Sequence, residues 1–529
     1  MSGYNNGPPH PTMNAQKYGD GQYYQQQQPP ENYNTAGGYY PDPNAPPPQQ
    51  YQAPYPEKSS YVNTENQPKS KWNDLFFAFL FLAQFCAFIA VSVISINAYT
   101  ISSYNVGGGI GDSNGSATTL NRNTAYLLAL IAAAGFLFSV IFLGIIRAFT
   151  KIVLEICLLL SVVFSVAYAI YLWIRMYWSG AVIFTIFAIL SIIMYFPMRK
   201  RIPFTTIMLQ TVLRVCDMYK STYAVAISFT VLQAVYSVWW SFTLAASYQK
   251  WAPGGGATAA GGGSSGSGAI ACVAIFLVFS YYWTTQFITN LCLTTEAGIF
   301  GTWYFTGGKE AGANKPTKVA RGALRRACTY SFGSIAFGSL IVALLDLLRA
   351  VLRALYDQAA SGGDIIGMIC ACVAQCCVGC IAWMVEFFNR YAYIEIALYG
   401  KAYIAAAKDA WHLIKNRGIE ALINDCLVNN IATIFSYVSG ALCSGFAYLY
   451  LRIFQPDYVE NTTSLTAVIL FYAFIIGFMI SYSLLHGAIA AGVSTLFVGL
   501  AENPEALSYR APDLFEHIRR TYPNVVNPV

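Results

Sequence analysis

Charged side chains are scarce, making up 11% of the 529 residues, where a soluble globular domain carries about 25%. With 56% hydrophobic residues, a soluble fold would lack the polar surface needed to cover itself. That excludes an ordinary cytosolic enzyme. Histidine occurs only at His10, His412, His486 and His517, too scattered for a metallohydrolase site, which needs several ligands at set spacing. No metal or other cofactor is expected. The sequence also lacks a Gly-x-Ser-x-Gly elbow paired with a plausible His and acid, so no catalytic residue is assigned and an enzyme is not expected. The stretch Gly301 to Glu310 fails as a phosphate loop: Glu310 stands where Ser or Thr is required, the glycine spacing is wrong, and no strand precedes it. The net charge of +6 gives no reason to expect nucleic acid as a partner. No cleavable signal peptide is visible, because the first long apolar run begins near Leu75; the first span then serves as signal anchor. Cysteine is not scarce, but all 13 residues lie in or beside apolar segments, which excludes a secreted disulfide framework.

What is present is a polar block followed by long apolar runs. Residues 1–70 are rich in Pro, Gln and Tyr and poor in aliphatics, so they cannot bury enough surface to offset chain entropy. They read as a disordered cytosolic tail, either a docking segment for cytosolic proteins or a solvated tail without a specific partner. A bilayer core needs roughly 20 apolar residues in a helix. Ten stretches qualify, near 75–99, 125–147, 152–174, 180–197, 222–248, 269–291, 327–352, 364–388, 430–452 and 465–486. The last continues apolar to Leu500, either as one kinked helix or as a span followed by a re-entrant piece. The expected fold is an all-α polytopic membrane protein with a transmembrane helical domain over 71–501 and a cytosolic C-terminal tail over 502–529.

An even number of spans puts both termini on one side. With the tail in the cytosol, only Arg122, Arg175, Lys250, Arg349, Arg353 and Arg452 of the 31 basic residues fall at external loops and outer span ends, in accord with the positive-inside rule. The two Asn-x-Ser/Thr acceptors, Asn114 and Asn461, both fall in external loops and are the expected glycosylation sites. The largest internal insertions are 292–326 and 389–429. The second reads as an amphipathic cytosolic helix that lies on the membrane surface or caps the bundle.

Three groups of residues are candidates for function. Tyr236, Trp239, Tyr282 and Trp283 are either an interfacial aromatic belt or a cage for an organic cation, which binds ring faces by cation–π attraction. Glu386 lies at membrane depth, where a charge is costly and marks a site or a structural pair. Asp346 has Arg349 at i+3, which suggests a pair on one helix face; Glu155 and Glu296 sit near inner span ends, within reach of the interface. The cluster Cys370, Cys372, Cys376, Cys377 and Cys380 lies in an apolar helix and reads first as small packing residues.

The stretches Asn389-Arg390-Tyr-Ala-Tyr-Ile-Glu-Ile-Ala-Leu-Tyr399-Gly400-Lys401, Glu296-Ala-Gly-Ile-Phe-Gly301-Thr-Trp303-Tyr304-Phe305 and Leu500-Ala-Glu502-Asn503-Pro504 resemble the choline transporter-like family. The Tyr/Gln/Pro tail and short first external loop resemble its fungal, pH-nine-sensitive branch. The resemblance implies a ten-span, multi-pass plasma-membrane protein that moves a small solute, choline or a related organic cation being the first candidate. The alternative is a scaffold that organises lipids or cytosolic partners through its tail and basic inner surface.

Overall fold

The computed structural model describes residues 71–103, 122–251, 266–306, 316–454 and 463–521, and every regular element among them is helical. In order these are α1 (Leu75–Ser103), α2 (Arg122–Ala148), α3 (Thr150–Ile174), α4 (Trp178–Met218), α5 (Ser221–Trp251), α6 (Gly266–Thr306), α7 (Pro316–Cys328), α8 (Phe332–Gly362), α9 (Ile365–Tyr399), α10 (Tyr403–Phe454) and α11 (Thr463–Tyr482). A π-helical turn, Ser483–Gly487, leads into α12 (Ala488–Glu502), followed by α13 (Pro504–Arg510) and α14 (Pro512–Thr521). Ten candidate spans among the described residues are long and apolar enough to cross a membrane. The tail 1–70, Asn114 and Asn461 lie outside the described residues.

The helix ends follow from local chemistry. Gly363 and Gly400 adopt φ of +72° and +65°, which ends α8 and α9 at no Cβ cost. Asp364 caps α9, its side chain accepting from the Gly367 amide at 3.0 Å. Asp74, just before α1 and close to Gly400, has φ of +53°.

α6 is the central helix and packs against α5, α7, α8, α9 and α12. α2 meets α10 and α11, and α3 and α4 form a hairpin. Large apolar side chains such as Phe76, Phe79, Phe164 and Phe187 cover the outside, where lipid rather than water is the solvent. Without a hydrophobic drive between helices in lipid, contacts use small residues and hydroxyls. Ser92 and Thr243 are 2.9 Å apart, Ser95 and Ser247 2.8 Å, and Ser165 and Ser191 2.8 Å. A Cβ on Gly477 would stand 2.6 Å from Cys443 Sγ, and one on Gly440 2.8 Å from the Phe474 carbonyl, so α10 and α11 approach at backbone distance.

Several segments expected as loops or insertions are helical. α4 runs through Arg199-Lys200-Arg201 to Met218, despite Pro197 and Pro203, because Ile202, Phe204, Met208, Val212 and Cys216 are buried in the core. α6 continues past 291, so Trp303 and Tyr304 are buried helical residues. The segment 389–429 is divided at Gly400: residues 389–399 finish α9 with Asn389, Tyr391, Tyr393 and Glu395 buried, and α10 starts at Tyr403. The apolar run 465–500 is a continuous path with a π turn in it, since α12 packs against α6 and α4 instead of folding back on α11. Residues 504–521 form two helices, with Leu507 and Ile518 buried.

Where α1, α8, α9 and α10 meet, a polar corner ties the helix ends together. Asp74 Oδ2 accepts from Ser334 Oγ at 2.6 Å and from the Tyr403 amide at 2.9 Å. Asn73 donates to the Gly400 carbonyl at 2.8 Å, and Tyr403 donates its hydroxyl proton to Asn389. Burial pushes the Tyr403 phenol up to about 12. Lys401 Nζ donates to Glu395 at 2.9 Å and to Asp409 at 2.7 Å. Burial lowers the Lys401 ammonium's pKa, but Asp409 and Glu395 outweigh that and hold it above its ordinary value.

Candidate functional site

Four helices each bring a pair of polar residues, one turn apart, within electrostatic reach of one another; Arg349 and Glu386 are exposed and the other six half-buried. α6 supplies Tyr282 and Gln286, α8 Asp346 and Arg349, α9 Glu386 and Arg390, and the α11–π segment Tyr482 and His486. Residues three or four apart share a helix face, so each helix presents its pair in one direction. Arg349 Nη1 is 3.3 Å from Asp346 Oδ1. Gln286 lies near enough to Asp346 to influence its carboxylate, and the charges of Asp346 and Arg349 both reach Tyr282. Glu386 is within the field of Asp346, Arg349 and Arg390. Tyr482 senses Arg390 and Glu386, and its ring stacks on His486 at 4.7 Å. The cluster thus balances two carboxylates against two guanidiniums, bordered by three rings. Such a set inside a membrane domain is costly unless paired, and intramembrane ionisable groups concentrate where ions or solutes pass.

The structure distributes the sequence candidates over three places. Tyr282 and Glu386 belong to the charged cluster. Tyr236 and Trp239 sit together elsewhere, packed against Phe88 at 5.5 and 5.0 Å. The Tyr236 hydroxyl donates to the Ser280 carbonyl at 3.1 Å and Trp239 Nε1 donates to Ser92 Oγ at 2.7 Å. Trp283 lies in a third cluster with Phe81 and Phe279, its Nε1 donating to the Ala336 carbonyl at 3.1 Å. The four rings therefore do not form one cage, because Tyr282 and Trp283, adjacent in sequence, leave the helix about 100° apart.

Other candidates land differently from their sequence reading. Glu296 is not at the interface but fully buried, whereas Glu155 is exposed. All five cysteines of the α9 cluster are exposed, so they face outward and do not pack the core. Among the described residues no group of three His, Cys, Asp or Glu is placed to hold a metal. Arg390, Tyr482 and His486 escaped the sequence reading, although the i,i+4 spacing of Glu386 with Arg390 and of Tyr482 with His486 was visible in it.

The fold defines a polytopic helical membrane protein with a partly exposed charged cluster borne by its spans. Residues 182–505 match the family described as plasma-membrane choline transporter. Relatives called Protein PNS1 match along most of the chain. The one from Mycosarcoma maydis is 46% identical over 463 residues, 88% of this chain and 85% of its own length. That from Cryptococcus neoformans is 44% identical over 482 residues, 90% and 87% of the two chains; that from Neurospora crassa is 38% identical over 469 residues, 88% and 83%. The chain belongs to the choline transporter-like family.

Proposed function

We propose that the protein carries a small solute across the plasma membrane, choline or a related organic cation being the first candidate, with both termini in the cytosol. Transport is the reading that family membership suggests, and it fits a role without catalysis. The observation that supports a cationic solute is the convergence of Asp346 and Glu386 with Tyr282, Tyr482 and His486. Carboxylates supply counter-charge and ring faces attract a quaternary or primary ammonium. The cluster is balanced as it stands, so a cation enters by displacing a guanidinium. Arg349 is the mobile candidate, being 48% exposed against 16% for its partner Asp346. Tyr236, Trp239 and Trp283 act in this reading by fixing α1, α5, α6 and α8 around the path.

Binding tests this directly. Choline and ethanolamine should each raise the unfolding temperature of the purified protein in a saturable way, and Glu386→Gln and Asp346→Asn should each weaken that response at least tenfold. Equal responses in wild type and both variants would move the solute site elsewhere. A scaffold is the second reading, favoured by the exposed basic residues Arg321, Arg325 and Arg326 on α7, which would attract anionic lipid. Deleting residues 1–65 should leave solute binding intact under the first reading and remove partner recruitment under the second.

A further inference from the structure

The charge of α7 is all of one sign: residues 316–328 carry Lys318, Arg321, Arg325 and Arg326 and no acidic residue. Its apolar side, Ala320, Ala323 and Ala327, is buried, and it closes on α6 at a glycine, where a Cβ on Gly298 would stand 3.0 Å from Ala323 Cβ. The basic side is therefore turned away from the bundle. Arg321 and Arg325, one turn apart, share a face and are exposed. Arg326 is exposed too, yet its Nη2 reaches back to α6, 3.7 Å from where a Gly298 Cβ would stand. Burial of that end pulls its guanidinium below the ordinary value. The ion pairs formed among the described residues leave these three arginines out. A guanidinium part-stripped of water and without a carboxylate is costly until an anion meets it.

The end of α7 lies where two spans begin. The Tyr330 ring meets Trp72 at 5.7 Å, and the Tyr330 carbonyl accepts from the Asn73 amide at 3.2 Å; the spans themselves start at Leu75 and Phe332. Trp72 is 58% exposed, and a Trp–Tyr pair at the foot of two spans marks the headgroup level of a bilayer. Arg325 and Arg326 sit in the last turn of the helix that leads into this pair. The C-terminus of a helix ordinarily repels an anion through its free carbonyls, but here they are taken. The Arg325 carbonyl accepts from the Thr329 amide at 3.0 Å and the Thr329 hydroxyl at 2.6 Å, and the Arg326 carbonyl from the Ser331 amide at 3.1 Å.

We propose that Arg325 and Arg326, flanked by Arg321, form a binding site for the phosphate of an anionic phospholipid. A guanidinium fork matches phosphate oxygens two at a time. Adjacent forks therefore favour a phosphomonoester headgroup, with its greater negative charge, over the phosphodiester of a zwitterionic lipid. The exposed Trp72 at headgroup level fits a lipid better than a soluble phosphate. Such a site differs from the diffuse pull of a basic surface on anionic lipid, which counts charge alone. It sharpens the lipid contact of the scaffold reading and rests on that reading for its leaflet, the cytosolic one; solute transport plays no part in it.

Titrating the purified, full-length protein in detergent with phosphatidic acid that carries a fluorescent acyl chain tests the site. The wild type should bind it saturably and at least tenfold more tightly than phosphatidylcholine with the same chains. The double variant Arg325→Lys, Arg326→Lys keeps both charges and loses both forks; it should unfold at the wild-type temperature and bind phosphatidic acid at least tenfold more weakly. Excess glycerol phosphate should not displace the lipid. Equal affinity for the two lipids, or binding undiminished in the lysine variant, overturns the proposal in favour of diffuse attraction; displacement by glycerol phosphate overturns it in favour of a soluble phosphate. Deleting residues 1–65 separates the site from the scaffold reading. The truncated protein should bind phosphatidic acid as the wild type does, and loss of binding there moves the site to the tail. Partner recruitment that survives the same deletion refutes the scaffold and leaves the lipid site standing.

Discussion

The polar corner at Asp74 gives a quantitative test of how the helix ends are held. One carboxylate oxygen takes two hydrogen bonds, from Ser334 and from the Tyr403 amide, and so ties α1 to both α8 and α10. Hydrogen bonds to a charged group contribute about 1.5–3 kcal/mol each. Because Asp74 is only partly buried, water recovers part of that, and Asp74→Ala should cost about 2–4 kcal/mol. Its backbone is left-handed, at φ +53°, where a Cβ costs roughly 1–2 kcal/mol. Asp74→Gly loses the same hydrogen bonds but escapes the Cβ cost, so it should be more stable than Asp74→Ala by about 1 kcal/mol. Asp74→Asn keeps an acceptor and tolerates the left-handed backbone, and should be the mildest of the three; Ser334→Ala, which removes one bond, should cost about 1–2 kcal/mol. The assay is intrinsic tryptophan fluorescence during thermal unfolding in detergent, since Trp72 packs on Tyr330 at 5.7 Å in the same corner. The order of stability should be wild type, Asn, Gly, Ala. An alanine variant as stable as wild type, or a glycine variant less stable than alanine, would refute the reasoning.

Three further outcomes follow from the packing and the charges. Gly477→Ala should lower the unfolding temperature, costing about 1–3 kcal/mol by overpacking, since its Cβ would meet Cys443 Cβ at 2.7 Å; Gly144→Ala, with nothing within 4 Å, should be neutral in the same scan. Lys401 has its ammonium pKa raised above 10.5 by Asp409 and Glu395 against the opposing effect of burial. The stability it adds is fully present below 10.5 and is lost as pH rises through the higher folded value, so Lys401→Met should abolish that alkaline fall in a pH series of unfolding temperatures. Tyr282→Ala should weaken choline-induced stabilisation at least tenfold, while Trp283→Phe should leave it intact and cost only about 1 kcal/mol for the lost hydrogen bond; equal effects on ligand response would contradict the separation of the two rings.

Much of the fold was legible because span length and apolarity are local properties. The ten apolar runs correspond to the ten candidate spans. The misreadings share one cause: a helix continues wherever a neighbour buries one of its faces. Arg199-Lys200-Arg201 reads as the end of a span, yet Ile202, Met208 and Val212 are buried, and the helices that pack on α4 include α10 and α12, which lie far off in sequence. Residues 292–306 and 389–399 likewise read as insertions in sequence, although Gly301 lets α6 close on Leu398 of α9. Glu296 reads as interfacial from its distance to the span end; only the packing of α5 and the π turn against α6 removes it from solvent. At the charged cluster, Glu386 was legible as a costly intramembrane acid and the Asp346–Arg349 pair from its spacing. That these meet Tyr482 and His486 depends on how α8, α9 and α11 pack, which no local pattern encodes. The divergence of Tyr282 from Trp283 was available from helix geometry alone.

Solute transport is most directly tested by measuring uptake of labelled choline and ethanolamine into sealed liposomes holding the purified, full-length protein, against empty liposomes. Saturable uptake by the wild type, lost in Glu386→Gln and retained in Trp283→Phe, is the expected result. Uptake no greater than in empty liposomes, with the protein folded and correctly oriented, would contradict transport of either solute, and uptake undiminished in Glu386→Gln would contradict the charged cluster as its path.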